Sequence, residues 1–443
     1  MKKILSLFLA TALCAAMFTG CQSAPSSTAA APAESSKATE PAPAAPAKPV
    51  EITIVTTYST EDGNRPNYEA AIKNYEAATG NKVKDASGTA NEEFKAKVMA
   101  DFETGSEPDV LFYYNGVDSN KLIEGGKVVS LEEIRKVYPD YASNMKEEML
   151  PNAPADGKKY TVPVNGYWEG LFVNKKVLAD CGVAVPGADY TWDQFMKDCK
   201  VIADKGYTPI ACSLQEVPHY WFEFCLFNNG NLAKHASIPA SSTDEVGKVW
   251  AAGLNDIKSL YEAGFFPKNT ATAGDPETFQ LMADNKAAFA IDGSWKIGWF
   301  QENAANIDDF TVTFVPSKNE RKSTDIIGGL SMGYYITKKA WDNPEKQAVI
   351  VDFIKAMTTD EVVTTFGATS VTALKNGTTA PPDADSLVTA ALAMTKGATG
   401  ITPVAQDLLP QAARNALFAD VKNVATGKTT AEAAIDAALA AQG

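Results

Sequence analysis

Only two histidines, His219 and His235, stand in a chain of 443 residues, which limits imidazole catalysis and imidazole metal ligation. Ser331 lies in Gly329-Leu330-Ser331-Met332-Gly333, the spacing of a nucleophile elbow. In hydrolases built on that elbow the catalytic histidine follows the serine in the chain. Both histidines precede Ser331, so that triad cannot be assembled. Gly427-Lys428-Thr429 ends like a phosphate-binding loop, but Lys422 occupies the position where the earlier glycine is needed. No His-Glu-x-x-His, Gly-x-Gly-x-x-Gly or Cys-x-x-Cys occurs. Paired carboxylates can cleave a glycosidic bond. Among 54 acidic residues, however, the sequence nominates no pair. These motifs point away from an enzyme and call for no cofactor and no metal.

The elements that would position any site follow from periodicity. Glu51–Thr57 alternates and is β-branched, predicting a strand. Tyr68–Thr79 has helical spacing and ends at Gly80, and Asn91 caps a helix closed by Gly105. Asp109–Tyr113 suits a buried parallel strand. This is the βαβ grammar of a doubly wound sheet. Ser130 with Glu133 forms a capping box, and Tyr160–Pro163 and Leu171–Val173 are predicted strands. Thr191 caps a helix reaching about Lys205, and Thr208–Cys212 is a strand. Helices are expected over 243–263 and 275–285, with strands at Ala287–Ile291, Phe310–Val315 and Met332–Thr337. Asn343-Pro344-Glu345 starts another helix. The Ala-rich C-terminal part reads as helical, its last helix capped at Thr429. Nothing repeats, and two successive clusters of strands and helices suggest two α/β lobes.

The N-terminus has the order of a secretory signal: Lys2 and Lys3, an apolar run from Ile4 to Phe18, then Gly20-Cys21. Phe18-Thr19-Gly20-Cys21 resembles a bacterial lipobox, which implies that residues 1–20 are removed and Cys21 is acylated. Residues 22–49 are almost wholly Ala, Pro, Ser and Thr, a composition that cannot offset its ordering entropy. Residues 21–49 are therefore expected to be an acylated tether. The formal charge of −14 argues against nucleic acid as a partner, and against lying on an anionic membrane except through the anchor. Cys181, Cys199, Cys212 and Cys225 are expected to be buried free thiols, with one disulfide among them the alternative.

Seven blocks, in order, resemble the family 1 extracellular solute-binding proteins, the group containing maltose-binding protein. They are Pro108-Asp109-Val110 with Leu122–Leu131, Asp156–Pro163, and Gly170–Leu178. Tyr190–Phe195, Asn285–Trp295, Gly328–Lys338 with Asn343-Pro344-Glu345, and Asp407–Leu417 with Gly427–Thr430 complete the set. Val173 stands where Tyr is common, and Asn285 where Gly is. The resemblance covers nearly all of residues 51–440. It implies a periplasmic-binding-protein type II-like fold, two α/β lobes joined by a hinge with a ligand cleft between them. The expected N-lobe is 50–163 with 327–374, and the C-lobe is 164–326 with 375–443.

The implied activity is extracytoplasmic binding of a sugar or oligosaccharide and its delivery to the permease of an ABC importer. The chain is expected to be a monomer, held at the outer face of the cell membrane by its lipid. Pyranose rings offer flat C–H faces to aromatic rings, and their hydroxyls need a few fixed polar partners. Aromatic residues cluster at segment ends that the family places on the cleft. The expected ligand contacts are Tyr58, Glu61, Tyr113, Asn115, Tyr167, Trp168, Tyr220, Trp221, Trp295 and Asp407, with Trp295 foremost. In each adjacent aromatic pair one ring is expected to point inward. Asp62, Glu169 and Asp292 also adjoin the aromatic segments, and Asp62 and Glu169 read as solvated surface. A non-sugar solute such as glycerol phosphate, or a surface glycoside hydrolase, are the alternatives.

Overall fold

The computed structural model describes residues 48–59, 62–216, 218–379 and 381–442. The signal, Cys21 and most of the tether lie outside the described residues, as does Glu61. Residues 49–443 form one compact unit. Within it are two sheets. The first has the order β2-β1-β3-β9, made of β1 (Glu51–Val55), β2 (Lys82–Asp85), β3 (Val110–Tyr114) and β9 (Met332–Ile336). β1 runs parallel to β2 and β3, while β9 pairs antiparallel with β3. The second sheet has the order β10-β8-β4-β6-β5, with β7 also on β4. Its strands are β4 (Tyr167–Asn174), β5 (Thr208–Ile210), β6 (Ala287–Gly293), β7 (Phe310–Thr313), β8 (Asp325–Gly329) and β10 (Gly400–Thr402).

Local chemistry accounts for most element ends. The Asn91, Ser130, Thr191 and Asn343 side chains accept from backbone N–H groups in the first turns of their helices. Gly80 closes the helix Arg65–Thr79 at φ 75°, a conformation that favours glycine. The last helix, Ala431–Ala440, is capped by Thr430, not by Thr429, because Thr430 is the extended residue whose side chain reaches the Ala433 N–H. Tyr160–Pro163 is not a strand: Val162 makes a single bridge to Tyr334. The strand Asp325–Gly329 was not expected, since a stretch holding two adjacent glycines gives no strand pattern. Its pairing with β4 puts Gly328 opposite Trp168 and Gly329 opposite Tyr167. The passage from the second sheet to the first therefore falls between Gly329 and Met332.

Three chain segments run between the sheets and touch where they cross. The Gly166 N–H donates to the Val371 carbonyl at 2.8 Å. A Cβ on Gly166 would lie 2.5 Å from both the Gly329 and the Val371 carbonyl oxygens. Gly329 itself has φ 156°, outside the range of other residues. Ser331, in the elbow-like motif, lies in this crossing, and its carbonyl accepts from the Asn115 N–H at 2.7 Å. The glycines around it serve close backbone approach.

Gly166→Ala is expected to lower the unfolding free energy by about 2 kcal/mol, because backbone rather than a flexible side chain must move. Denaturant titration of residues 49–443 measures this, and an unchanged midpoint would contradict the packing described.

Candidate functional site

The ends of β3, β4 and β6 meet the helix His219–Asn229 and the turn Ala405–Leu408 beside this crossing. Strand alternation sorts their aromatic pairs. Tyr113 is buried against Phe94, whereas its neighbour Tyr114 is half-buried beneath Lys95, whose Nζ is 4.0 Å from the ring centre. Tyr167 faces Trp295, with ring centres 6.3 Å apart. Trp168 turns the other way into the core, its indole N–H donating to the Thr369 carbonyl at 2.9 Å. Tyr220 lies 5.9 Å from Trp295, while Trp221 is buried and stacks on Phe195. Tyr167, Tyr220 and Trp295 thus form one cluster, in which Tyr167 is buried and Tyr220 and Trp295 are half-buried.

Tyr113, Trp168 and Trp221, expected at the ligand, are instead core side chains. The physical reason is the period of two along a strand, which sends neighbours to opposite faces. In the pair Tyr220-Trp221 the helical rotation does the same. Tyr58 is also core, stacked on Phe112 and donating its hydroxyl to Asn165 Oδ1 at 3.0 Å. Asn115 is buried at the crossing with its amide satisfied: Nδ2 donates to the Leu330 carbonyl, and Oδ1 accepts from the Thr161 hydroxyl. Trp295 owes its pose to two neighbours. It packs against Tyr167 and Tyr220, and its ring lies where a side chain of Gly293 would be, 2.2 Å from an ideal Cβ.

Charge at the cluster is mostly negative. Glu169 is buried, contrary to the solvated reading, and burial raises its pKa well above the usual range, helped by Glu223, Asp292 and Asp407. Burial raises Asp292 as well, against the pull of Lys296, which also pairs with Asp275 at 3.2 Å. Asp407 is pushed up to about 6 by burial, with Lys95 and Arg414 offsetting part of the shift. Asp62 is likewise raised to about 6 by desolvation. Glu223, wholly buried, accepts the Ala405 and Gln406 N–H groups at 2.9 Å each and holds the turn that carries Asp407. His219 stacks on Phe418, and burial lowers its pKa to about 3.

A charge cluster that the sequence did not single out joins the two sides of the junction. Arg414, on the helix Gln411–Ala425, reaches both Glu92 oxygens at 2.9 and 3.0 Å and Asp118 at 2.8 Å. Lys95 completes it, 3.0 Å from Glu92 and 2.9 Å from Asp118. Glu92, Lys95 and Asp118 belong to the first-sheet side, and Arg414 packs with the second. Burial alone would raise the Asp118 carboxyl, but the two cations outweigh it and hold it below its ordinary value. No pattern in the sequence flags these contacts, which span some three hundred positions. Nearby, a Cβ on Gly63 would lie 2.7 Å from the Trp295 carbonyl, so only glycine lets that loop close on the helix Lys296–Asn303.

The model of the family described as bacterial extracellular solute-binding protein matches residues 60–364. The chain belongs to this family. A curated relative, the multiple sugar-binding protein of Streptococcus mutans serotype c, is 24% identical over 265 residues, covering 58% of this chain. That alignment spans 60% of the relative's length. Among solved structures, a chitin oligosaccharide binding protein superposes with TM-score 0.77 at 21% identity, covering 89% of this chain and 98% of the other. The binding protein RafE in complex with raffinose gives TM-score 0.69 at 19% identity, covering 88% and 98%. This bacterial extracellular solute-binding protein thus has the type II-like fold of the maltose-binding-protein kind. Its family consists of binding proteins, and its place is extracytoplasmic. Among the described residues no helix is long and apolar enough to cross a membrane.

Two outcomes follow from the charges. Arg414→Met should loosen the contact between the two sides, since it leaves buried carboxylates less compensated, at a cost of about 3 kcal/mol. Small-angle scattering should show a larger radius of gyration, and an unchanged radius would argue against these ion pairs as what holds the two sides together. Asp62 and Asp407 keep protons in the folded state that the unfolded chain has released between about pH 4 and 6. Stability from these groups is therefore lost as pH rises through that window. His219, with its pKa lowered from 6.5, acts in the opposite direction as pH falls, so Asp407 is read by comparison: Asp407→Asn should lower the thermal midpoint at about pH 5 relative to that at about pH 7.5. The same difference in the variant would rule Asp407 out as a source.

Proposed function

We propose that this protein is the ligand-capturing lipoprotein of an ABC importer for an oligosaccharide. Cys21 carries the lipid, and residues 22–49 tether the binding unit to the outer face of the membrane. The observation that carries the saccharide reading is the cluster of Tyr167, Tyr220 and Trp295 at the junction between the two sheets, bordered by carboxylates. Two of its rings are only half-buried. Such rings stack on pyranose C–H faces, and carboxylates accept from sugar hydroxyls with charge-assisted bonds. Relatives described as binding multiple sugars, chitin oligosaccharides and raffinose support the same class.

In this reading Tyr114 and Asp407 approach the ligand from opposite sides of the junction. A ligand touching both sides stabilises the closed arrangement, because its contacts are complete only there. The Glu92–Arg414–Asp118 cluster adds to closure. The closed form is what docks on the permease. Thermal unfolding of residues 49–443 against a panel of oligosaccharides tests the reading. One saccharide class should raise the midpoint, by ~2.7 kcal/mol of stabilisation at a hundredfold over its dissociation constant. Trp295→Ala should weaken that ligand at least about tenfold, roughly 1.4 kcal/mol. A shift with charged solutes alone, and with no saccharide, would sink the carbohydrate assignment.

A further inference from the structure

The saccharide reading leaves the ligand's own charge open, and the floor of the junction bears on it. The register of β4 and β6 sets Glu169 opposite Gly293. Side chains directly opposed in an antiparallel pair stand about 5 Å apart on one face. The Trp295 ring occupies the space of the missing Gly293 side chain. It therefore lies beside the Glu169 side chain, on the same face as Tyr167. Glu169 is 1% exposed, and its Oε2 has no hydrogen-bond partner.

The neighbouring cations are already engaged. Lys296 pairs with Asp275 and Asp292, and Lys95 and Arg414 pair with Glu92 and Asp118. Glu223 is satisfied by two backbone N–H groups. Among the described residues Glu169 and Asp407 have no ion pair, although each lies in the other's electrostatic reach. A buried carboxylate is costly unless it is protonated or meets a positive donor. An indole flanked by two phenol rings attracts a cation to its face, and an adjoining carboxylate supplies the charge-assisted hydrogen bond.

We infer that the cleft selects saccharides carrying a free protonated amino group over neutral or N-acylated ones, with the ammonium held between Trp295 and Glu169 and facing Asp407. This rests on the saccharide reading above. Burial and the nearby carboxylates of Glu223, Asp292 and Asp407 raise the proton affinity of Glu169, so an arriving ammonium displaces the carboxyl proton and takes its place among those negative groups.

The test is calorimetric titration of residues 49–443 with glucosamine, N-acetylglucosamine and glucose oligomers of equal length and linkage. The free-amine oligomer should bind at least tenfold more tightly than either of the others. In Glu169→Gln and Asp407→Asn, each checked by its thermal midpoint, the ratio of amine to neutral affinity should fall toward one. Equal or tighter binding of the neutral or acetylated oligomer by the unaltered protein would overturn this inference and leave the saccharide reading standing. Failure of all three, together with other saccharides, would remove both. A ratio unchanged in both variants would also overturn it, because the preference would then arise elsewhere.

Discussion

The close approach of three backbone segments at Gly166 is the constraint on which the rest of the structure depends. Carbonyls of Gly329 and Val371 stand where any side chain at 166 would be, so the chain can pass between its two sheets only with glycine there. Because the segments cross side by side, β8 pairs with the start of β4 before continuing into β9 beside β3. That brings the ends of β3, β4 and β6 to one place. Tyr114, the Tyr167 and Glu169 pair on β4, and Trp295 are near one another for this reason, although these three places lie far apart in the chain.

The second theme is the treatment of charge away from water. Around Arg414 the opposite charges are matched in number and geometry, and their desolvation is offset by short contacts. At the floor beneath Trp295 they are unmatched, and burial shifts several carboxyls toward the neutral form. The two regions adjoin, so Lys95 and Arg414 also act on Asp407 without pairing with it. A matched cluster favours one arrangement of the two sides. An unmatched one favours a ligand that supplies donors. Glu223 serves both, since it fixes the turn bearing Asp407 by capping two N–H groups from a distance.

What could be read in advance was whatever is local. Alternation gave β1, a short apolar run gave β3, and cap residues gave the starts of four helices, because a side chain within three residues of the N–H it accepts is a matter of short-range geometry. Family-like blocks marked the fold and the Gly-Ser-Trp turn of Trp295. The ring facing of each aromatic pair was anticipated only as a rule that one member turns inward. Which member does so depends on which face of β3 or β4 meets a neighbouring layer. Hence Tyr113 and Trp168 went to cores, and Tyr114 and Tyr167 to the junction.

Glu169 and Arg414 show the limit most clearly. A lone Glu in a strand and a lone Arg in an Ala-rich helix look like solvated residues, since the cost of burying a charge depends on partners hundreds of positions away. The sequence by itself determined two clusters of strands and helices, the glycines of the crossing and an inventory poor in catalytic groups. Only the tertiary structure decided which rings and carboxylates lie together, because long-range pairing register and burial are properties of packed sheets and not of any local segment.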